Sequence, residues 1–312
     1  MLTGALVESA RVLPFELVFH RDFMADLGPH VFPARKYQML RERLLAEGLA
    51  DEADFVRPEP AQDADVLRVH TAEYVRKLKS GDFTPDEVLT LELPWSQALV
   101  RGVWLCAGGA LLAGRLARRD GCAILLGGGF HHAFPDHGEG FCLVHDVAVA
   151  VRGLRARSEA SRVSIVDLDV HQANGTGAIF AGDVEAFTVS LHQQNNYPAV
   201  KPANSIDVGL ADGTGDAAYL AALEDPLREA IAFRPDVLFY LAGADPYEHD
   251  LLGGLRLSLA GLAERDRLVF RAAREARVPI AATLAGGYAE RPADTVAIHF
   301  NTVAAAAEVF RA

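Results

Sequence analysis

Three ionisable side chains alternate along a short segment that follows the apolar run at 163–166. Asp167, Asp169 and His171 are separated by single residues, and in a β-strand such residues point to the same face. Burying ionisable groups together is unfavourable unless a cation or another partner compensates their charge. Alone, the segment is compatible with a metal site or with an acidic strand end that faces solvent.

A further candidate ligand, Asp245, follows the apolar run at 237–242. By itself, an Asp before a Pro is more typical of a turn than of a metal ligand. Together with Asp169 and His171, it gives two carboxylates and one imidazole, a set that leaves coordination positions open for water and substrate. Open positions are typical of a catalytic metal ion.

Two adjacent imidazoles, His131 and His132, follow the three glycines at 127–129. Imidazoles transfer protons near neutral pH, so the pair can act as the base and the acid of a hydrolytic reaction. A surface pair or a separate metal site is also compatible with this pattern. The glycines are a weak phosphate-loop signal, because no Lys followed by Ser or Thr comes next.

Tyr288 follows Gly286 and Gly287. The glycines allow the chain to bring a phenol close to a metal ion, where the hydroxyl can donate to the oxyanion of a tetrahedral intermediate. Taken alone, a Gly-Gly-Tyr segment is an ordinary turn.

Short β-branched runs alternate with amphipathic stretches, a pattern typical of strands joined by helices in a mainly parallel sheet. The predicted strands are 15–19, 123–126, 163–168, 186–191, 237–241 and 280–284, and the predicted helices are 35–47, 64–78, 95–117, 144–155, 216–232, 258–276 and 292–310. Asp216 and Ser258 are predicted to cap two helices, and 51–65 is predicted to be a surface loop. The carboxyl ends of parallel strands share one sheet edge, so the chemical segments should converge there.

Composition narrows the classes of function. The 312 residues are 50% hydrophobic, enough for the core of one domain spanning 1–312. A net charge of −12 disfavours direct nucleic acid binding and mildly favours cationic substrates. No uninterrupted apolar run approaches the roughly 18 residues of a membrane span, and the first residues lack a signal-peptide pattern, so we expect a cytoplasmic location. Three cysteines without paired spacing are expected to be buried and reduced.

Taken together, the motifs closely resemble those of the histone deacetylase superfamily. They occur in family order between about 127 and 288, and as a set they are far more specific than any one alone. Phe130, Gln172 and Leu252–Leu255 most resemble the class IV branch and its bacterial relatives. The motifs are Gly127–Ala133, Gly140–Cys142, Val166–Thr176, Val189–His192, Gly243–Asp245 and Gly286–Tyr288.

The resemblance implies an arginase/deacetylase-like fold, which is a single α/β domain whose open, mainly parallel sheet has about eight strands and helices on both faces. It implies Zn²⁺ bound by Asp169, His171 and Asp245. The ligand set also suits Fe²⁺. A K⁺ or Na⁺ ion is implied near a second group of residues, which consists of Asp167, Asp169, His171, Ser190 and Leu191.

The same resemblance implies roles for individual residues. His131 and His132 transfer protons while a metal-activated water attacks the amide carbonyl, and Tyr288 stabilises the oxyanion. Asp167 is expected to hydrogen-bond His131, and Asn174 to hydrogen-bond His132. Further expectations concern the substrate passage, with a tunnel wall at Gly140, Phe141 and Gly287 and an internal-channel arginine at Arg35.

Some positions depart from the family pattern. Asn174 stands where many relatives carry Asp, which should make His132 easier to deprotonate. Ala285 replaces a common glycine and is expected to restrain Tyr288, and the segment 193–202 matches no pattern that indicates a substrate. The related arginase-like hydrolases bind two Mn²⁺ ions through extra carboxylates, and the corresponding positions here are Ala173 and Tyr247. A site for a single ion is therefore expected.

The implied activity is removal of acetyl or longer acyl groups from lysine side chains of proteins and peptides, or from related amines. One alternative is an amidohydrolase for acetylpolyamines or other small amides. Another is a protein that binds acyl-lysine or cations without turnover, although every predicted catalytic position is filled. We expect a monomer, because the chain is short for the insertions through which acetylpolyamine-cleaving relatives dimerise.

Overall fold

A computed structural model describes residues 11–23 and 25–311. Within these residues, eight parallel strands form one sheet in the order β2-β1-β3-β8-β7-β4-β5-β6. The strands are β1 Glu16–Val18, β2 Phe55–Val56, β3 Cys122–Leu125, β4 Val163–Asp167, β5 Ala186–Gln193, β6 Ile206–Leu210, β7 Val237–Leu241 and β8 Ile280–Thr283.

Every residue of β3, β4, β7 and β8 is buried. Successive strand residues point to opposite faces, so complete burial requires that both faces of the sheet be covered by helices. The helices are α1 Lys36–Ala46, α2 Asp63–Val66, α3 Ala72–Ser80, α4 Pro85–Leu91, α5 Gln97–Asp120, α6 Asp146–Ala156, α7 Asn174–Ile179, α8 Asp216–Ala232, α9 Leu259–Ala276 and α10 Pro292–Arg311. The predicted single α/β domain with an open parallel sheet is confirmed.

Helix α5 contacts strands at the centre of the sheet, including β3 and β8. It has the length and composition of a membrane span, and 83% of its most apolar 18-residue window is buried inside the domain. Gly108 on this helix allows close approach of the chain at Glu59, because a Cβ at position 108 would lie 1.9 Å from the Glu59 carbonyl oxygen. The burial and this close packing are those of a core helix.

The structure corrects several predicted boundaries. The helix predicted at 64–78 is two helices, because Thr71 accepts a hydrogen bond from the Tyr74 N–H at 3.3 Å and starts α3. The predicted loop at 51–65 contains a short 3₁₀ turn, β2 and the start of α2. Ser258 caps α9 as predicted, but Asp216 does not cap α8, since its carboxylate accepts from the Ser258 N–H at 2.8 Å.

The order of the strands brings the segments that carry the candidate site residues to one crevice. The chain moves outward from β4 through β5 to β6, and then returns to place β7 on the other side of β4. Open α/β sheets bind ligands where the strand order reverses, beyond the carboxyl ends of the strands. The segments that follow β4 and β7 therefore meet at this point.

Candidate active site

Asp169, His171 and Asp245 lie together at the switch point of the sheet. Each offers one ligand atom, and these atoms lie within 4.8 Å of one another. All three residues are buried. Backbone hydrogen bonds fix the carboxylates, because Gly286 N–H donates to Asp169 Oδ2 at 2.9 Å and Val170 N–H donates to Asp245 Oδ1 at 2.9 Å.

The residues present fit a divalent metal ion. Among the described residues, the buried Oδ2 of Asp245 has no hydrogen-bond partner, and a buried oxygen of this kind is costly unless something binds it. Gly286 leaves the space above it open, since a Cβ there would lie 1.8 Å from Asp245 Oδ2 and 2.4 Å from Asp169 Oδ2. Burial and the charge of Asp169 raise the pKa of Asp245 well above its usual range. A bound cation would relieve this repulsion.

His131 and His132 both lie beside this cluster and are both buried. His131 Nδ1 is 2.7 Å from Asp167 Oδ2, and His132 Nδ1 is 2.6 Å from Asn174 Oδ1. The structure thus places each expected pair within hydrogen-bonding distance. In each pair Nδ1 faces an oxygen, so Nε2 is the nitrogen left for the reaction.

The two imidazoles differ in their preference for a proton. Burial alone would lower the pKa of His131, but the carboxylates of Asp167 and Asp169 outweigh it and raise that pKa to about 9. Burial, together with the charges of His131 and His171, holds the pKa of His132 well below its usual range. With no ion at the carboxylates, His131 therefore favours the charged form at neutral pH and His132 the neutral form.

Tyr288 is buried next to the cluster, and contacts to Leu284 and Ala285 hold the chain just before its glycines. Burial, followed by the charges of Asp169 and Asp245, raises the pKa of Tyr288 well above its usual range, so the phenol keeps its proton. Lys36 Nζ donates to the Ala285 carbonyl oxygen at 2.9 Å, and Tyr37 Oη donates to that of Leu284 at 3.0 Å. The phenol is available as a hydrogen-bond donor.

A narrow cavity leads to these groups. It measures about 20 Å³, close to the space that one water occupies, and its walls include Phe32, Gly140, Phe141 and Tyr288. The rings of Phe32 and Phe141 each pack edge-on against Tyr288, at centroid distances of 6.0 and 5.9 Å. In this structure the cavity has room for about one water molecule beside the candidate ligands.

Two residues predicted for the passage, Arg35 and Gly287, do not line this cavity. Arg35 is exposed and lines a separate cavity of about 780 Å³, whereas its neighbour Lys36 is the buried cation near the site. A Cβ at Gly287 would point at Ala244 and Thr295, both 2.8 Å away, and its place in the tunnel wall stays a prediction. Helical geometry explains why Lys36 and not Arg35 points inward, since adjacent helical residues face different directions.

The residues of the predicted K⁺ or Na⁺ site lie on β4 and β5 and in the segment that follows β4. Asp167 on β4 is paired in register with Ser190 on β5. Asp167, Asp169, His171, Ser190 and Leu191 are all buried. The structure brings these groups together, and the ion itself stays a prediction.

Two side chains near His132 were not predicted. Tyr197, in the unassigned segment 193–202, packs perpendicular to His132 with ring centroids 4.9 Å apart. Its hydroxyl donates to Glu139 Oε1 at 2.7 Å. The only sequence signal for Glu139 was its place directly before the Gly140–Cys142 motif.

Comparisons with known proteins decide the family. Residues 30–303 match the histone deacetylase domain family. The chain belongs to the histone deacetylase family. It is 37% identical over 298 residues to an uncharacterised Picosynechococcus protein, covering 95% of this chain and 99% of that one. It is 33% identical over 286 residues to histone deacetylase 2 of Arabidopsis thaliana, covering 88% and 74%. The predicted family and enzyme class, a deacetylase-type hydrolase, are confirmed.

Solved structures agree with this fold. The HDA15 HD domain superposes with a TM-score of 0.78 at 23% identity, covering 94% of this histone deacetylase family member and 88% of that chain. The acetylpolyamine aminohydrolase of Burkholderia pseudomallei gives a TM-score of 0.76 at 23% identity, covering 94% and 98%. At these identities the superpositions support the fold alone.

Proposed function

We propose that this deacetylase-family hydrolase removes acyl groups from lysine side chains or related amines with one divalent ion held by Asp169, His171 and Asp245. The observation that carries the proposal is the buried Oδ2 of Asp245, which has no hydrogen-bond partner in the part of the chain that the structure describes and which lies near Asp169 in a space kept open by Gly286. Two carboxylates and one imidazole suit Zn²⁺, and they also accept Fe²⁺. Ala173 and Tyr247 stand where a second ion would need carboxylates, which favours a site for one ion.

A divalent ion in this position supplies a Lewis acid for the substrate carbonyl and lowers the pKa of water. His132 has a free Nε2, because its Nδ1 faces the Asn174 oxygen, and it therefore accepts the proton of the attacking water. His131, kept charged by Asp167, adds positive charge and supplies a proton to the leaving amine. The protonated phenol of Tyr288 donates to the oxyanion.

The proposed substrate is an acylated amine on a slender chain. The aromatic walls of the passage suit the methylene chain of an acyl-lysine, since such walls bury apolar groups without adding charge. An acetylated polyamine has a similar chain and a cationic end that the acidic protein would attract. We further propose that a K⁺ or Na⁺ ion binds beside Ser190. The protein is proposed to be a cytoplasmic monomer that does not bind nucleic acid or membranes directly.

One purified sample tests the activity and its substrate class. The protein is assayed against peptides with acetyl-, butyryl- and longer acyl-lysines and against acetylated polyamines, and its metals are measured by elemental analysis. Turnover of acyl-lysine peptides together with about one divalent ion per chain supports the proposal. If the protein cleaves only acetylated polyamines, the proposed substrate changes from acyl-lysine to a polyamine. If it binds an acyl-lysine tightly but does not cleave it, the protein is a binding protein rather than an enzyme. Full activity in a metal-free sample would overturn the mechanism.

A further inference from the structure

Glu139 is a half-buried carboxylate with several partners at the edge of the candidate site. Its side chain is 16% exposed. Oε1 accepts a hydrogen bond from the Tyr197 hydroxyl at 2.7 Å and another from the Asn174 amide nitrogen. Oε2 lies 3.5 Å from Nε2 of His137. A carboxylate placed among three partners is held in one orientation.

The hydrogen bond from Asn174 to Glu139 fixes the orientation of the Asn174 amide. An ionised carboxylate can only accept hydrogen bonds, so the NH₂ group of Asn174 must face Glu139. The amide oxygen must then face His132, whose Nδ1 lies 2.6 Å away. This oxygen accepts, so the proton of neutral His132 resides on Nδ1 and Nε2 carries the lone pair. The His132 tautomer that can accept a proton therefore depends on Glu139, which is linked to the Nδ1 edge of His132 through Asn174.

The hydrogen bond from the Tyr197 hydroxyl to Glu139 holds the ring that packs on His132. Tyr197 stands at 89° to the His132 ring, with centroids 4.9 Å apart. Gly140 leaves room for this packing, since a Cβ there would lie 2.8 Å from His132 Cδ2 and 3.0 Å from Tyr197 Cε1. Through Tyr197 and Asn174, the Glu139 carboxylate thus supports both the face and the hydrogen-bonding edge of His132.

We propose that Glu139 is a positioning residue for the reaction, which sets the tautomer of His132 through Asn174 and holds its ring through Tyr197. The inference rests on the proposed function in one respect, the role of His132 as proton acceptor. In a chain with Asn rather than Asp beside this imidazole, Glu139 supplies the fixed orientation that an amide lacks by itself.

Two substitutions at one position separate orientation from charge. Glu139→Leu removes every acceptor, whereas Glu139→Gln removes the charge but keeps a carbonyl that can accept from Asn174. Asp136→Asn is the matched control, because Asp136 also contacts His137, with Oδ1 2.7 Å from Nδ1, but is 71% exposed. Each variant is first checked for its unfolding temperature and metal content.

The main readout is the imidazole tautomer in the metal-loaded protein, measured by long-range ¹H–¹⁵N NMR with the His132 signals assigned by their loss in His132→Gln. We expect wild type and Glu139→Gln to carry the proton on Nδ1, and Glu139→Leu to show a mixture of tautomers. The kcat of Glu139→Leu should fall about 10- to 100-fold with little change in KM, the usual range for losing a group that orients a catalytic residue.

Three outcomes would overturn the proposal. An unchanged tautomer and kcat in Glu139→Leu would mean that Glu139 positions nothing. A loss in Glu139→Gln as large as that in Glu139→Leu would assign the effect to charge, and a raised KM at constant kcat would make Glu139 a substrate contact. The NMR result is independent of turnover, so an inactive wild-type protein would contradict the proposed function without deciding the role of Glu139.

Discussion

The backbone N–H of Tyr288 donates a hydrogen bond of 2.7 Å to Asp250. Asp250 lies in the loop that follows Asp245, and it also accepts from the N–H groups of Leu252 and Gly253 at 2.9 and 3.0 Å. The loop that follows the proposed metal ligand Asp245 thus also holds the backbone of the proposed oxyanion donor. The distance between the ligand and the phenol is consequently set by one short segment of chain.

Tyr288→Phe should lower kcat by about a hundredfold or more, the usual scale for losing an oxyanion donor. Only the hydroxyl is removed, so the ring packing against Phe32 and Phe141 and the unfolding temperature should be retained. Steady-state kinetics on the best acyl-lysine peptide measure the effect. Near-normal turnover by a correctly folded variant would remove Tyr288 from the mechanism.

Gly286→Ala should abolish binding of the divalent ion while the chain still folds. The added methyl group would occupy the space above Asp245 Oδ2 and Asp169 Oδ2. Gly215→Ala is the control, because its Cβ would meet only the Arg256 carbonyl oxygen at an ordinary 3.6 Å. Zn²⁺ should raise the unfolding temperature of wild type and of the control but not that of Gly286→Ala, since a ligand stabilises only a protein that binds it. Equal metal content in all three would argue against this site.

Arg265→Met should destabilise the protein by about 3–5 kcal/mol, because it leaves the buried carboxylate of Asp266 without its charged partner. Both side chains are fully buried, and Arg265 also donates to the Gly243 carbonyl oxygen at 2.6 Å. The double variant Arg265→Met/Asp266→Asn should recover part of the loss. Urea unfolding of the two single variants and the double variant measures the coupling. Strictly additive losses would show that the pair does not stabilise the fold as a unit.

The fold should lose stability in acid as His70 takes up a proton. Burial lowers the pKa of His70 to about 4. Its Nδ1 lies 2.9 Å from the Phe134 carbonyl oxygen and its Nε2 accepts from the His145 N–H at 3.1 Å, so only the neutral ring satisfies both. A base with a lowered pKa stabilises the fold fully above its unfolded pKa of 6.5. This contribution, about 3 kcal/mol, is lost as the pH falls from 6.5 towards 4.

Unfolding free energies measured between pH 7 and pH 4 test this dependence. His70→Gln should be less stable than wild type at pH 7 but should change less with pH. His249→Gln, at an exposed histidine, serves as the control. Identical pH profiles for wild type and His70→Gln would exclude His70 as a source of the acid sensitivity.

The strands that were predicted from the sequence are those with continuous apolar runs. Strand β7 was predicted with its observed bounds, because Val237–Leu241 is buried on both faces and needs no partner information to be recognised. Strands β2 and β6 were missed. The first has only two residues, and the second alternates partly buried and exposed positions at the sheet edge, as in Ile206 and Asp207. Their pairing depends on neighbours that are distant in sequence.

The residues of the candidate site also fall into those that could be predicted from the sequence and those that could not. Asp169, His171, Asp245 and the two adjacent histidines were recognisable because several segments had to meet at one sheet edge. Glu139 and Tyr197 were not, since their importance lies in contacts across distant segments, and neither residue type indicates such a contact. Lys36 was missed by one position in favour of Arg35, because the face of a helix that turns inward depends on tertiary packing.

The neighbouring positions of β4 and β7 in the sheet bear on how the protein matures in the cell. β4 is synthesised before β7, and β5, β6 and α8 all emerge between them, ahead of the third proposed ligand, Asp245. A nascent chain on the ribosome would therefore lack Asp245 beside the other two proposed ligands until β7 has paired with β4. Under the proposed function, the complete ligand set would exist only after this central pairing, so an ion could stabilise only molecules that have reached it.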